Sequence, residues 1–211
     1  MESMRRWDRF KMAIKRAIAA LALIFGFAQL STAASAQFSE RYEFFKAVED
    51  ADAAEVKRMV EGPASTVVNS KQRDGGRTAL HIVTDRRDAP WINFLHGFGA
   101  DVNARDDAGD TPLILAASRG FGDGIRLLLA YGADVNLANN RGETPLIRAV
   151  QRRDTESVRL LMKGGADPDQ GDHVAGFSAR DYASRDRRSQ RILQIIEGGE
   201  TEQAEVVGPT R

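Results

Sequence analysis

Side chains that could carry chemistry are few in this chain. It has three histidines, His81, His96 and His173, and no cysteine. Without a thiol there is no disulfide, no thiolate nucleophile and no cysteine-based zinc site. The histidines do not follow HExxH or comparable metal-ligand spacing. The glycine-rich run Arg119–Gly124 lacks the preceding strand and the lysine of a phosphate-binding loop. Asp101, Asp134 and Asp167 recur at one constant interval, and Arg86, Arg119 and Arg152 recur at the same one. A general acid and base need two different environments around one substrate. A constant interval instead puts one side chain at the same point of successive structural units. A site built in a groove would have only His81, Asp85 and Arg86 to draw on. The sequence therefore predicts no catalytic set, no metal and no cofactor.

The interval itself is the strongest signal. GADVN runs Gly99–Asn103 and again Gly132–Asn136, and GADPD runs Gly165–Asp169. GRTALHIV, GDTPLILA and GETPLIRA start at Gly76, Gly109 and Gly142, in the same period. WINFLH, GIRLLL and SVRLLM follow from Trp91, Gly124 and Ser157. Three strings in one order and one period define a repeat. Thr111-Pro112 and Thr144-Pro145 suit helix starts, because Thr can cap free N–H groups and Pro is tolerated at the first helical position. Leu113, Ala116 and Ala117 then share one helical face. Glycines at 120 and 122 end that helix, and Ile125, Leu128 and Leu129 repeat the spacing on a second. Gly132 is placed to supply a left-handed C-cap. Ala133–Asn136 leads to a turn at Asn139–Gly142. Two short helices and a hairpin-like loop cannot bury their apolar face alone, so the units must stack.

These strings resemble the ankyrin-repeat family, with its G-x-TPLH-x-A opening, V-x-LL second helix and GADVN exit. The resemblance covers roughly residues 40–197. It implies an all-α solenoid of about five helix-turn-helix repeats with β-hairpin-like loops. The units are expected near 40–73, 76–108, 109–141, 142–174 and 175–199, within a domain spanning 37–199. The first and last act as caps. Residues 40–62 read as two helices with Phe44, Val48, Val56 and Val60 inward, and the link to Gly76 lacks GADVN. In the last unit Arg188, Gln190, Arg191 and Gln194 give the polar face a terminal repeat needs. Residues 200–211 read as a disordered tail. The family's TPLH histidine is structural, bonding between repeats, and His81 stands at that position. His96 is expected to pack and His173 to be solvated.

Net charge is zero over the 211 residues. Residues 1–36 hold six Lys/Arg and two Asp/Glu, leaving 24 basic and 28 acidic residues in 37–211. A mildly acidic body exerts no long-range pull on nucleic acid or anionic lipid. The segment 1–16 is basic, the segment 17–30 (AIAALALIFGFAQL) carries no charge, and Ala34-Ser35-Ala36 has the small-x-small pattern of a cleavage site. That order reads as a signal-peptide helix cleaved after Ala36. The apolar segment, if helical, would span about 21 Å, short of a hydrocarbon core of about 30 Å. An uncleaved anchor and an amphipathic first helix are the alternatives. The expected location is periplasmic or secreted, with no membrane association after cleavage.

The resemblance also implies a binding face, the concave groove lined by loop tips and the exposed side of the first helices. By register it comprises Arg77, Asp85, Arg86, Asp107, Asp110, Ser118, Arg119, Arg141, Glu143, Arg148, Gln151 and Arg152. Asp74, Asn140, His173 and Phe177 fall at further loop tips. The recurring arginines suit an acidic or extended segment of a protein partner, since Arg is favoured at interface hot spots. The competing reading is a solvated surface of internal ion pairs, each contributing at most about 1 kcal/mol. Phe121 and Tyr131 either add aromatic anchors or pack against loops. The expectation is a monomeric, non-catalytic protein-binding scaffold. The alternatives are an envelope protein without a defined ligand and an enzyme with a groove site.

Overall fold

The computed structural model describes residues 40–62 and 66–198. The expected signal peptide, its cleavage site and the tail from 200 lie outside the described residues. The chain divides into two units, residues 1–44 and 45–211. In the first, residues 40–44 are helical, the opening of helix α1, which runs over 40–49. The second unit carries the rest of the described chain.

That unit is built from helix pairs. After α1 come α2 (Ala53–Val60), α3 (Ala79–Asp85), α4 (Ala89–Gly97), α5 (Pro112–Arg119), α6 (Gly122–Ala130), α7 (Pro145–Arg152), α8 (Thr155–Lys163), α9 (Ala179–Arg185) and α10 (Gln190–Ile196). Single 3-10 turns sit at Val67–Asn69 and Arg187–Ser189. No strand occurs among the described residues. Helices α3, α5, α7 and α9 pack side by side as an inner layer, and α4, α6, α8 and α10 as an outer one. Each inner helix also packs on the outer helix that follows it.

Local chemistry sets the helix starts. Thr111 and Thr144 accept hydrogen bonds from the Ile114 and Ile147 N–H groups, both at 3.2 Å, and a proline follows each. Such a cap contributes about 1 kcal/mol. Ser178 and Asp181 form a capping box at α9, and Thr78 and His81 form one at α3. Asp52, Asp88 and Asp154 cap α2, α4 and α8. At α6 the capping position holds Phe121 instead. Its ring folds back over Gly124, where a Cβ would lie 2.3 Å from it.

The core lies between the layers. Leu113, Ile114, Ala116 and Ala117 of α5 and Leu146, Ile147 and Ala149 of α7 are fully buried, as are Ile125, Leu128, Val158 and Leu161 of the outer helices. Alanines at the crossing points let the helix backbones come close. Near the N-terminal end Val56 is buried as expected, whereas Val60, expected inward, is only half-buried and Met59 beside it is buried.

The loops are held by side chains at a fixed interval. Asn103 accepts from the Asp134 N–H (2.8 Å) and donates to the Gly132 carbonyl (3.4 Å). Asn136 makes the same two bonds to Asp167 and Gly165. Asn69 makes them to Asp101 and Gly99, so the first unit has a working exit although GADVN is missing there. Asp101, Asp134 and Asp167 each turn their own loop by accepting from the N–H two residues on. These carboxylates build the repeat.

Candidate binding face

Four loops project beyond the inner helices as stacked fingers. Each is closed by a backbone bond: Gln72 to Arg77, Asp106 to Asp110, Asn139 to Glu143 and Asp172 to Phe177. Neighbouring fingers are joined as well. The Asp107 N–H donates to the Gly75 carbonyl (3.0 Å), Asn140 to Ala108 (3.1 Å) and His173 to Arg141 (2.7 Å). Asp106, Asn139 and Asp172, at equivalent points of successive repeats, each accept from N–H groups within their own finger. The fingers and the inner helices thus form one continuous, pre-set face.

His81 ties the first of these fingers to the next. It is completely buried, with Nδ1 at 2.7 Å from the Thr78 hydroxyl and 3.2 Å from the Thr78 N–H, and Nε2 at 3.0 Å from the Asp110 carbonyl. Because Nδ1 accepts from a backbone N–H, the proton sits on Nε2, which donates to Asp110. Burial holds its pKa below the usual histidine value, partly offset by the Asp110 carbonyl and the charge of Asp106. A neutral, fully bonded imidazole serves as an inter-repeat tie.

The periodic arginines bond to the preceding unit. Arg86 donates to the carbonyls of Val48 (2.8 Å) and Glu49 (3.3 Å) at the end of α1, pairs with Asp88 at 3.1 Å and lies 5.5 Å over the Trp91 ring. Arg119 pairs with Asp85 (2.5 Å), which also holds Arg77 (3.1 Å). Arg152 donates to the Ser118 carbonyl (3.4 Å) near the end of α5. Arg87, with φ of 61°, bonds the Arg119 carbonyl. A cation at a helix C-terminus meets the negative end of the macrodipole, so this row staples helix ends. It still leaves Arg119 and Arg152 exposed at the surface.

The middle of the face centres on Glu143. This buried carboxylate accepts from Asn139 (2.9 Å) and Arg141 (2.7 Å), with Arg148 at 3.4 Å. Burial pushes its pKa up, but the bonds from Asn139 and Arg141 and the charge of Arg148 outweigh it and hold the group below the ordinary value. Arg148 also donates to the Ser118 hydroxyl (3.0 Å), and Asp110 accepts from Asn139 (2.8 Å). Asp107 and Gln151 are exposed. The structure therefore gathers Arg77, Asp85 and Arg119 into one cluster, and Ser118, Arg141, Glu143 and Arg148 into another.

A family model described as three copies of the ankyrin repeat matches residues 44–139 and again 80–172, well over half of the chain. The chain belongs to the ankyrin-repeat family. No curated protein matches it. The all-helical ankyrin stack agrees with the fold expected from the strings. Ankyrin repeats serve as protein-interaction scaffolds, and generally without catalysis.

Two features of the ankyrin stack escape a reading of the sequence. The His96 ring stacks on Tyr131 on the outer helices (3.7 Å between centroids), and the Tyr131 hydroxyl donates to Asn93 (2.6 Å). The offset between His96 and Tyr131 differs from the dominant period, which masks it. Phe177 lies beneath the Arg185 guanidinium at 3.7 Å. Placing that pair requires counting the extra residue in the last finger. Among the described residues no three His, Asp or Glu converge as metal ligands, and no helix is long and apolar enough to cross a membrane.

Proposed function

We propose that this chain is an exported ankyrin scaffold. On this reading it holds an extended, acidic segment of a protein partner on the face formed by its fingers and inner helices. The observation that carries the reading is the finger row: backbone bonds join neighbouring tips, so Asp107, Arg141 and Gln151 are presented on a surface that has already lost its freedom. Pre-ordered surfaces bind with less entropic cost than loops that must order on contact. Export rests on the basic, apolar and small-residue order of residues 1–36 and on the absence of any cysteine for an oxidising compartment to attack. The non-catalytic reading is supported by His81, whose ring nitrogens are both engaged, and by Asp85, which is held between two arginines. We read the protein as a monomer that binds neither nucleic acid nor, once processed, membrane.

The test is cell fractionation and N-terminal sequencing, followed by photo-crosslinking in the compartment found. A crosslinking side chain at Asp107 or Gln151 should capture a protein partner. The same group at Asp123 or Arg126, on outer helix α6, should not. A protein starting at its own Met in the cytoplasm would refute export. Equal capture from both faces would refute the face.

A further inference from the structure

The row of side chains that lines the inner face changes chemistry at its last step. The second residue of each finger opening is Arg77, Asp110, Glu143 and then Phe177, after the one-residue insertion in the last finger. The matching residue near the end of each inner helix is Asp85, Ser118, Gln151 and then Arg185. In the first of these pairs Arg77 and Asp85 form an ion pair at 3.1 Å. In the last, the Arg185 guanidinium lies 3.7 Å over the Phe177 ring. A stacked guanidinium keeps its N–H fork free for a planar carboxylate.

The fourth finger adds an apolar contact. Val174, at its tip, is 76% exposed, one of two large hydrophobic side chains so displayed among the described residues. The loop that displays it is firmly held. Asp172, itself 5% exposed, accepts from the N–H groups of Val174 (2.9 Å), Ala175 (2.7 Å) and Gly176 (3.1 Å) and from the Tyr182 hydroxyl (2.6 Å). An apolar side chain fixed in water by a buried carboxylate is pre-arranged for contact.

Two cations at that end make no ion pair among the described residues. Toward the other end, Arg77 and Arg119 share Asp85, Arg86 has Asp88, and Arg141 and Arg148 share Glu143. Arg187 and Arg188, just beyond α9, are exposed and make no ion pair among the described residues. Asp186, on the same turn, pairs with Arg153 (2.5 Å). The hydrogen bond from Arg153, with those from the Arg188 N–H and Ser189, holds it down at about 2.

We infer that the C-terminal end of the face is its recognition centre. Val174, Phe177 and Arg185, backed by Arg187 and Arg188, receive an extended segment in which acidic residues flank an apolar one. The inference rests on the scaffold reading above and names the place and chemistry of its contact. Aromatic and Arg side chains are enriched at interfaces, an exposed valine beside them offers an apolar contact, and unpaired cations select for acidic flanks.

The experiment is fluorescence anisotropy with the purified full chain. The probe is a short labelled peptide of glutamate and serine with one central leucine. Its counter-probes replace leucine by serine, or the glutamates by lysines. The leucine–glutamate probe should bind saturably and weaken with salt, and the lysine probe should not bind. Arg185→Glu should weaken it about tenfold. Val174→Ser, at a site too exposed to disturb the fold, should weaken it about threefold and abolish the preference for leucine over serine. Arg126→Glu on α6 should change affinity less than about twofold. No saturation by about 1 mM, or equal effects of Arg185→Glu, Val174→Ser and Arg126→Glu, would overturn the inference. Capture from Asp107 and Gln151 that persists in such a case would leave the scaffold reading standing. Loss of that capture as well would remove both.

Discussion

Replacing His81 by Gln isolates the tie between the second and third repeats. The imidazole is completely buried, accepts from the Thr78 N–H and donates to the Asp110 carbonyl across the repeat boundary. Gln cannot reach both partners from the first turn of α3. Losing one of these bonds at about 1 kcal/mol, and leaving a buried group unpaired at about 1–3 kcal/mol, gives a cost of about 2–4 kcal/mol. The substitution also predicts a change with pH. Burial depresses the His81 pKa in the folded state, so below the usual value near 6.5 the unfolded chain binds the extra proton first. The contribution is complete above about pH 6.5 and is lost as pH falls through the folded value. Protonation would also place a proton on Nδ1, where the structure needs an acceptor. The assay is urea unfolding followed by circular dichroism at pH 7.5 and 5.5. Native protein should lose stability between the two, and His81→Gln should be weaker at pH 7.5 with a flatter response. His96→Gln and His173→Gln serve as controls. A loss under about 0.5 kcal/mol, below the range for one buried hydrogen bond, or an unchanged pH response would refute the tie.

Other substitutions probe the stack separately. Gly142→Ala puts a Cβ 2.6 Å from the His173 backbone nitrogen at a residue with φ of 77°. It should cost more than about 1–2 kcal/mol, the left-handed penalty alone, and hydrogen exchange at the His173 amide should accelerate. Thr84→Val removes the one buried side-chain polar atom without a partner among the described residues, in an inner helix where the next repeats place Ala117 and Val150. It should raise the unfolding midpoint, by about 1 kcal/mol or more from the desolvation relieved; a lower midpoint would show that the hydroxyl is satisfied. Asn136→Ala deletes both bonds to the following repeat and should cost about 1–2 kcal/mol, against almost nothing for exposed Gln151→Ala.

Much of this architecture is legible in the residues, and the rest fails for identifiable reasons. Thr111-Pro112 and Thr144-Pro145 announce their helices because caps and first-turn prolines are local chemistry. The period places the inner face, since residues one period apart must occupy equivalent points of a stack. What a period does not carry is where a long side chain turns. The interval places Arg86, Arg119 and Arg152 in one row but leaves open whether they meet a ligand or pair internally; Arg86 and Arg119 are engaged by carbonyls and carboxylates of neighbouring units. Asn69 is hidden because the first exit reads TVVN and falls one position outside the regular interval before Asn103, although the bonds are the same. The residues leave Phe121 open between anchor and packing; a glycine three residues on lets its ring fold inward. The Phe177–Arg185 pair becomes visible only when the extra residue in the fourth finger is counted.

The central claim is that a partner is held on the finger and inner-helix face, outside the cytoplasm. Photo-crosslinking from Gln151 against Arg126, in the compartment where the processed chain is recovered, tests it most directly. Capture of a protein partner from Gln151 alone is the result the account predicts. Capture from Arg126 alone, or an unprocessed chain recovered in the cytoplasm, would contradict it.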